Sequence, residues 1–178
     1  ITQLQPMRTW FSLLERQLYH AEKLKDASRI SGDELRFITA PNEIKKMMEN
    51  RAYVKGPGSV PSTIAVLFSA EGLQSLEGKR ENLSKLYESG MRMAGLVHFF
   101  DNKLAGSMHG EKKGGLTEFG VTIVQDMEEM GMIVDIAHSS HDTVADVLKM
   151  ARRPVVSSHG GVQAVCSVNR NLTDVEIK

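Results

Sequence analysis

The sequence predicts an α/β protein in which short buried strands of a parallel sheet alternate with amphipathic helices. Four short apolar runs each end on a polar residue, and these four residues are Glu71, His98, His138 and His159. The segments between the runs carry apolar residues at helical spacing. Near-continuous apolar strands that alternate with helices are typical of a parallel sheet covered by helices. Polar residues at the carboxyl ends of such strands indicate a functional site at that edge of the sheet.

Size and composition exclude several classes of protein. The chain has 178 residues, which suffices for one domain with a sizeable core. Lys plus Arg (22) equals Asp plus Glu (22), so net charge gives no reason to expect binding to nucleic acid or an anionic membrane. Cys166 is the single cysteine, which excludes an internal disulfide and a cysteine zinc cluster, and we expect it to be buried.

No apolar run approaches the roughly 18–20 residues of a membrane-spanning helix. The first residues lack the basic and apolar regions of a signal peptide, and they also lack Met. We therefore expect the true N-terminus to lie upstream. The sequence does not indicate the cellular compartment.

The first half of the chain predicts two helices before the first strand that ends at a polar residue. Apolar residues at i, i+3, i+4 and i+7 predict a long first helix, with Trp10 and Phe11 on its apolar face. The predicted elements are a helix at 7–30, an extended segment at 33–38, a helix at 41–50, a turn at 56–59, a strand at 63–70 and a helix at 78–90.

The second half repeats the alternation of strand and helix. Thr117 and Ser140 are typical N-caps, and Gly131 is a typical helix stop. The predicted elements are a strand at 92–97, a loop at 99–115, a helix at 117–131, a strand at 132–137, a helix at 141–152, a strand at 154–158 and a helix from 173. Long loops that follow strands often carry function.

Two parallel architectures fit this pattern: an open doubly wound sheet and a (β/α)8 barrel. The chain contains neither of the two glycine-rich phosphate-binding motifs, GxGxxG and GxxxxGK(S/T). The pair Gly160-Gly161 is only a weak match to such a motif. A full barrel needs about 250 residues. The chain would therefore supply only about four or five of the eight βα units.

The strand-end residues are of the types that bind zinc. Imidazole nitrogen and carboxylate oxygen are its usual non-thiolate ligands. Glu71 could bridge two ions, His138 and His159 could complete one of them, and His98 could donate to a developing oxyanion. Arg170, in the loop after the last run, presents a fork of donors that matches a carboxylate.

Each of these residues also has a purely structural interpretation. A single histidine at a strand end is usually a hydrogen-bonded structural residue, and Glu71 could simply face a helix N-terminus. Arg170 could be a solvated surface residue, and Asn102 an ordinary loop residue. Asp135 lies among apolar neighbours, so its carboxylate needs a partner. His20, His109 and His141 are expected to be structural or solvated.

Several ordered motifs carry a family resemblance. They are AEG at 70–72, GLVHFFDN at 95–102, GLTEFG at 115–120, MGMIVDIAH at 130–138, RPVVSSH at 153–159, and NRNL at 169–172 followed by Asp174. Together they strongly resemble the membrane (renal) dipeptidase family of zinc peptidases, over roughly residues 6–178. The segment 93–110 looks like a bacterial branch of that family.

The resemblance implies a (β/α)8 barrel of the metal-dependent hydrolase type with two zinc ions. It implies that Glu71 bridges the two ions and that His138 and His159 are the other protein ligands of one of them. His98 would polarise the substrate carbonyl, while Arg170 and Asn102 would bind substrate. A hydroxide between the ions would attack the peptide bond of a dipeptide, commonly one with a C-terminal D-residue. A homodimer is left open.

Some family features are missing from the chain. The His-x-Asp ligands of the first strand do not occur, the family's catalytic aspartate would lie beyond Lys178, and Gln74 replaces a frequent histidine. We therefore expect residues 1–178 to be the central part of one barrel domain, inactive alone. Two alternatives stay open: an amidohydrolase that acts on another amide or a modified peptide in secondary metabolism, and a non-catalytic relative.

Overall fold

The computed structural model describes residues 5–32, 34–52 and 63–178, so the predicted turn at 56–59 lies outside the described residues. The strands are β1 (Leu35–Ile38), β2 (Ile64–Leu67), β3 (Ser69–Ala70), β4 (Met93–Gly95) and β5 (Ile133–Asp135). The α-helices are α1 (Leu13–Ile30), α2 (Pro41–Ala52), α3 (Glu81–Glu88), α4 (Glu118–Met130), α5 (His141–Met150) and α6 (Asp174–Ile177). Short 3-10 helices lie at Met7–Thr9 and Leu73–Leu76. Within the described ranges, none of the helices combines the length and apolar character needed to cross a bilayer.

The described strands are all parallel, as the sequence predicts. One sheet pairs β1 with β2, and the other has the order β3-β4-β5. Helices α2, α3 and α4 each connect two neighbouring parallel strands. These βα units confirm the predicted α/β class and bring the carboxyl ends of β3, β4 and β5 to one edge.

Two predicted strands differ from the structure. The run at 63–70 is divided at Phe68, so that β2 pairs with β1 while β3 pairs with β4. The run at 154–158 is not a regular strand: within the described chain it forms one parallel bridge, between Asp135 and Val156. Val156 nevertheless exchanges backbone bonds with Ile136 (2.8 Å) and Val134 (3.0 Å), so this run still lies beside β5.

The predicted first helix begins too early. Helix α1 starts at Leu13 because the Ser12 side chain accepts a hydrogen bond from the backbone of Glu15 at 3.1 Å. The Glu77 carboxylate also accepts from the Leu13 backbone at 2.8 Å, which fixes the helix start. Trp10 and Phe11 are 57% and 93% exposed, so their predicted place on the apolar face of a helix is wrong.

The hydrophobic core lies between the β3-β4-β5 sheet and helices α3, α4 and α5. Its fully buried side chains include Leu86, Leu96, Ile123, Met127 and Val147. Thr117 and Ser140 cap α4 and α5, and Gly131 ends α4 in the left-handed conformation, as predicted. Cys166 is exposed, which corrects the expectation that it is buried.

Candidate metal centre

Four polar side chains converge at the carboxyl edge of the β3-β4-β5 sheet. Glu71 Oε1 lies 2.9 Å from His138 Nε2, 3.2 Å from His159 Nε2 and 3.5 Å from His98 Nε2. The His138 and His159 Nε2 atoms are 2.9 Å apart. These are the residues that the sequence predicts at four strand ends. The structure therefore brings all four into one cluster.

The fold explains this convergence. Glu71 directly follows β3, and His98 and His138 lie three residues after the ends of β4 and β5. His159 lies three residues after the bridge at Val156, beside β5. Ser107 adds a link, because its hydroxyl donates to the His98 carbonyl and lies 3.3 Å from the His138 carbonyl. Sequence reasoning missed Ser107, since a serine in an aperiodic loop gives no signal.

His138 is held in an unusual conformation. Its backbone φ is 66°, a left-handed value that residues other than glycine rarely adopt. Such values are often found at functional sites. The residue is buried, and its Nδ1 atom has no hydrogen-bond partner among the described residues. Burial lowers the pKa of His138, and the charge of Arg170 lowers it further, although the Glu71 hydrogen bond opposes this shift. Neutral imidazole is the form that binds a metal.

Arg170 lies beside the cluster, as predicted. Its Nη2 atom donates to the His159 carbonyl at 3.2 Å. The loop that carries Arg170 is closed by a parallel bridge between Val162 and Leu172. The guanidinium thus stands next to the histidines, where it could meet a carboxylate of a bound molecule.

Asn102 makes hydrogen bonds within its own loop, and its role in binding substrate stays a prediction. Its Nδ2 donates to the Leu96 carbonyl at 2.8 Å, and its Oδ1 accepts from the backbone of Leu104 at 2.8 Å and of Ala105 at 3.2 Å. These bonds assign Asn102 to holding the loop. The residue also lines a cavity of about 690 Å³, together with Phe100, His109 and Thr117.

Aromatic rings border the cluster on the loop side. The Phe99 ring centroid lies 4.2 Å from that of His98 and 5.4 Å from that of His109. His109 is exposed, as expected, but its ring centroid is only 5.7 Å from that of His138. A molecule bound at the cluster would therefore meet an aromatic wall on this side.

The arrangement fits a bound cation. Glu71, His98 and His138 offer ligand atoms that lie within 4.8 Å of one another. The Nε2 atom of His159 is also near, at 3.2 Å from Glu71 Oε1. Three imidazole nitrogens and a carboxylate oxygen are a zinc-type donor set. The unpartnered Nδ1 of His138 leaves its Nε2 as the ring's bonding atom. The donor set does not separate His98 from the metal ligands, although its distance to Glu71 is the longest.

Curated relatives with sequence similarity are named as dipeptidases. Dipeptidase aclJ from Aspergillus oryzae is 39% identical over 116 residues, which cover 64% of this chain and 28% of that protein. Dipeptidase verJ from Clonostachys rogersoniana is 35% identical over 113 residues, 62% of this chain and 29% of that protein. The chain thus matches less than a third of either relative. Both come from fungi, so the expected bacterial branch is not confirmed.

Solved structures share the fold. The probable dipeptidase PvdM from Pseudomonas aeruginosa aligns with a TM-score of 0.77 at 22% identity, covering 88% of this chain and 38% of that one. A metallo peptidase from Rhodobacter sphaeroides, liganded with a phosphinate mimic of L-Ala-D-Ala, aligns with a TM-score of 0.76 at 20% identity, covering 90% and 44%. These likenesses confirm the predicted fold class, a partly covered (β/α)8 barrel.

Nearly the whole chain matches one family description. Residues 12–178 match the family described as membrane dipeptidase, Peptidase family M19. The match includes all four residues of the cluster and Arg170. The family is one of hydrolases that act on peptide bonds. The chain therefore belongs to the membrane dipeptidase family, Peptidase family M19.

Proposed function

We propose that this chain carries the metal centre and the carboxylate-binding residue of a zinc-dependent dipeptidase. The observation that carries the proposal is the convergence of Glu71, His98, His138 and His159 at distances of 2.9–3.5 Å. Membership of the M19 family and the dipeptidase names of the relatives support it. Residues 1–178 would form the central part of one (β/α)8 catalytic domain.

We assign the ligands from the family resemblance, and the two shorter distances from Glu71, to His138 (2.9 Å) and His159 (3.2 Å), support this assignment. Glu71, His138 and His159 would hold one zinc ion, and the second carboxylate oxygen of Glu71 is available for another. Ligands of that second ion would come from the rest of the catalytic domain. When bound, zinc supplies positive charge that polarises a carbonyl and lowers the pKa of water.

The remaining residues would bind and orient the dipeptide. Arg170 would pair with the terminal carboxylate through its fork of N–H donors. His98, the histidine farthest from Glu71 and 28% exposed at its side chain, would donate a hydrogen bond to the carbonyl oxygen of the peptide bond. Phe99 and His109 would exclude water on the loop side. Hydrolysis of the bond would release two amino acids.

Zinc content and dipeptide turnover of the complete gene product test this proposal. We expect about two zinc ions per chain by elemental analysis, turnover of a panel of L,D-dipeptides, and loss of turnover with a chelator. His159→Ala should lose one metal equivalent. The matched control is His20→Ala, because His20 is exposed on α1 and lies outside the cluster.

The possible outcomes are distinct. Absence of metal from the complete protein would overturn the proposal in favour of a non-catalytic relative. Metal without dipeptide turnover would move the substrate to another amide or a modified peptide. Unchanged metal content in His159→Ala would contradict the ligand assignment of His159.

A further inference from the structure

A carboxylate, a hydroxyl and a histidine form a connected chain behind the cluster. Ser158 Oγ donates to Asp135 Oδ2 at 2.5 Å, and the Ser158 backbone donates to Asp135 Oδ1 at 3.0 Å. On its other side, Ser158 Oγ lies 2.9 Å from His159 Nδ1. Asp135 thus has the partner that its buried position requires, and this partner is the residue that precedes a proposed metal ligand.

Counting hydrogens assigns the direction of these bonds. A serine hydroxyl has one hydrogen, and an ionised carboxylate can only accept. Asp135 accepts from the Ala137 and Ser158 backbones and from the Ser158 hydroxyl, which uses that single hydrogen. The hydroxyl oxygen can then only accept from His159. The Nδ1 atom of His159 must therefore carry the ring hydrogen.

The consequence appears on the opposite side of the ring. A neutral imidazole has one ring hydrogen, so a protonated Nδ1 leaves Nε2 with a free lone pair. That Nε2 atom is the one that lies 3.2 Å from Glu71 Oε1 and 2.9 Å from His138 Nε2. Contacts of this kind behind a metal-binding histidine fix its tautomer and ring orientation.

We infer that Asp135 and Ser158 are positioning residues that hold His159 in its Nδ1-protonated tautomer and present Nε2 to the metal. This inference rests on the proposed metal centre. Of the cluster histidines, His159 is the one whose side chain this pair contacts within the described chain. His138 has no corresponding contact within the described chain, since its Nδ1 is buried without a partner.

Zinc affinity is the first measurement. In the complete protein, Ser158→Ala should weaken zinc binding by about 10- to 100-fold in a chelator competition, because contacts behind metal ligands typically have effects of this size. Ser158→Thr retains the hydroxyl and should restore affinity. The matched control is Ser157→Ala, since Ser157 is adjacent in sequence and the contacts to Asp135 and His159 are made by Ser158. An affinity for Ser158→Ala within threefold of wild type would overturn the inference.

The tautomer itself is the second measurement. Two-bond ¹H–¹⁵N correlation of the metal-free protein should show the Nδ1-protonated form of His159. Asp135→Asn places an amide donor beside the serine, which frees the hydroxyl hydrogen to donate to Nδ1 and should shift the ring to the other tautomer. Wild-type His159 in the Nε2-protonated form would overturn the inference.

These readouts separate the inference from the proposed function. If His159→Ala retains all its zinc, the ligand assignment fails whatever the tautomer. If His159→Ala loses zinc while Ser158→Ala binds it normally, the metal centre stands and the positioning role fails.

Discussion

Two regions supply the three histidines of the cluster around Glu71, and they are held in place by different forces. The inner wall (residues 93–140) provides His98 and His138, and the outer arm (residues 153–173) provides His159 and Arg170. The side chain of His138 is 9% exposed, whereas that of His159 is 50% exposed. Packing therefore fixes His138 of the wall. Hydrogen bonds must fix the histidine of the arm.

Besides the contacts of Ser158, polar contacts hold the outer arm at its two ends. At the start, the buried Glu128 accepts from the backbones of Arg152 (2.7 Å) and Arg153 (3.0 Å). After the far end, Glu176 lies 2.6 Å from His141 Nδ1 and completes the capping box with Thr173. Substitutions in the wall should therefore lower the free energy of unfolding. Substitutions in the arm should weaken metal or substrate binding, with less effect on stability.

The largest expected effect on stability comes from the wall. Leu96 is fully buried in the hydrophobic core, two residues before His98, and Leu96→Ala should lower the free energy of unfolding by about 2–5 kcal/mol. Urea denaturation measures this change. Leu148→Ala on α5 is the matched control, since Leu148 is 41% exposed and should lose much less. Equal losses in the two variants would contradict the view that the wall is held by packing.

A smaller effect is expected where the arm begins. Glu128→Gln should lower the free energy of unfolding by about 1–2 kcal/mol at neutral pH, because it weakens the bonds to Arg152 and Arg153. Burial alone would raise the pKa of Glu128, but the bonds from Arg152 and Arg153 outweigh burial and hold that pKa below its usual range.

The low pKa of Glu128 sets the pH dependence. Its stabilisation is complete above the pKa of the unfolded state and is lost as pH falls through the lower pKa of the folded state. The difference between wild type and Glu128→Gln should therefore shrink in acid, as measured by urea denaturation at several pH values. Glu129→Gln is the control, since the Glu129 side chain is 69% exposed. A difference that does not change with pH would be evidence against this role.

The smallest effect on stability, and the most selective effect on function, is expected for Arg170. In the complete enzyme, Arg170→Ala should raise KM for dipeptides and spare amide substrates that lack a free carboxylate. Its unfolding curve should match that of wild type within about 0.5 kcal/mol. Equal losses on both kinds of substrate would count against a carboxylate-binding role.

The sequence predicts the inner wall better than the outer arm. Local signals were sufficient for the caps at Thr117 and Ser140 and for the strand-end positions of Glu71, His98 and His138. They predicted a strand at 154–158 where the structure has one bridge, because apolar composition does not reveal how much of a run finds a partner.

Other errors share a physical cause, which is competition from distant residues. Phe11 fits a helical stripe, but capping at Ser12, supported by Glu77 from far along the chain, starts the helix after it. The contact between Ser158 and Asp135 joins residues 23 positions apart, so spacing alone gave no sign of it.

Asp101 gives the loop beside the cluster a property that bears on the kinetics of binding. Its carboxylate accepts from the backbones of Ser107 and Lys112, each at 2.8 Å, and a Cβ added at Gly110 would lie only 1.8 Å from Asp101 Oδ1. The loop backbone is therefore ordered before any ligand arrives. The conformational entropy of ordering it is lost during folding and not at each encounter with substrate. We accordingly expect association to be limited by diffusion and orientation, with no slow phase from loop closure.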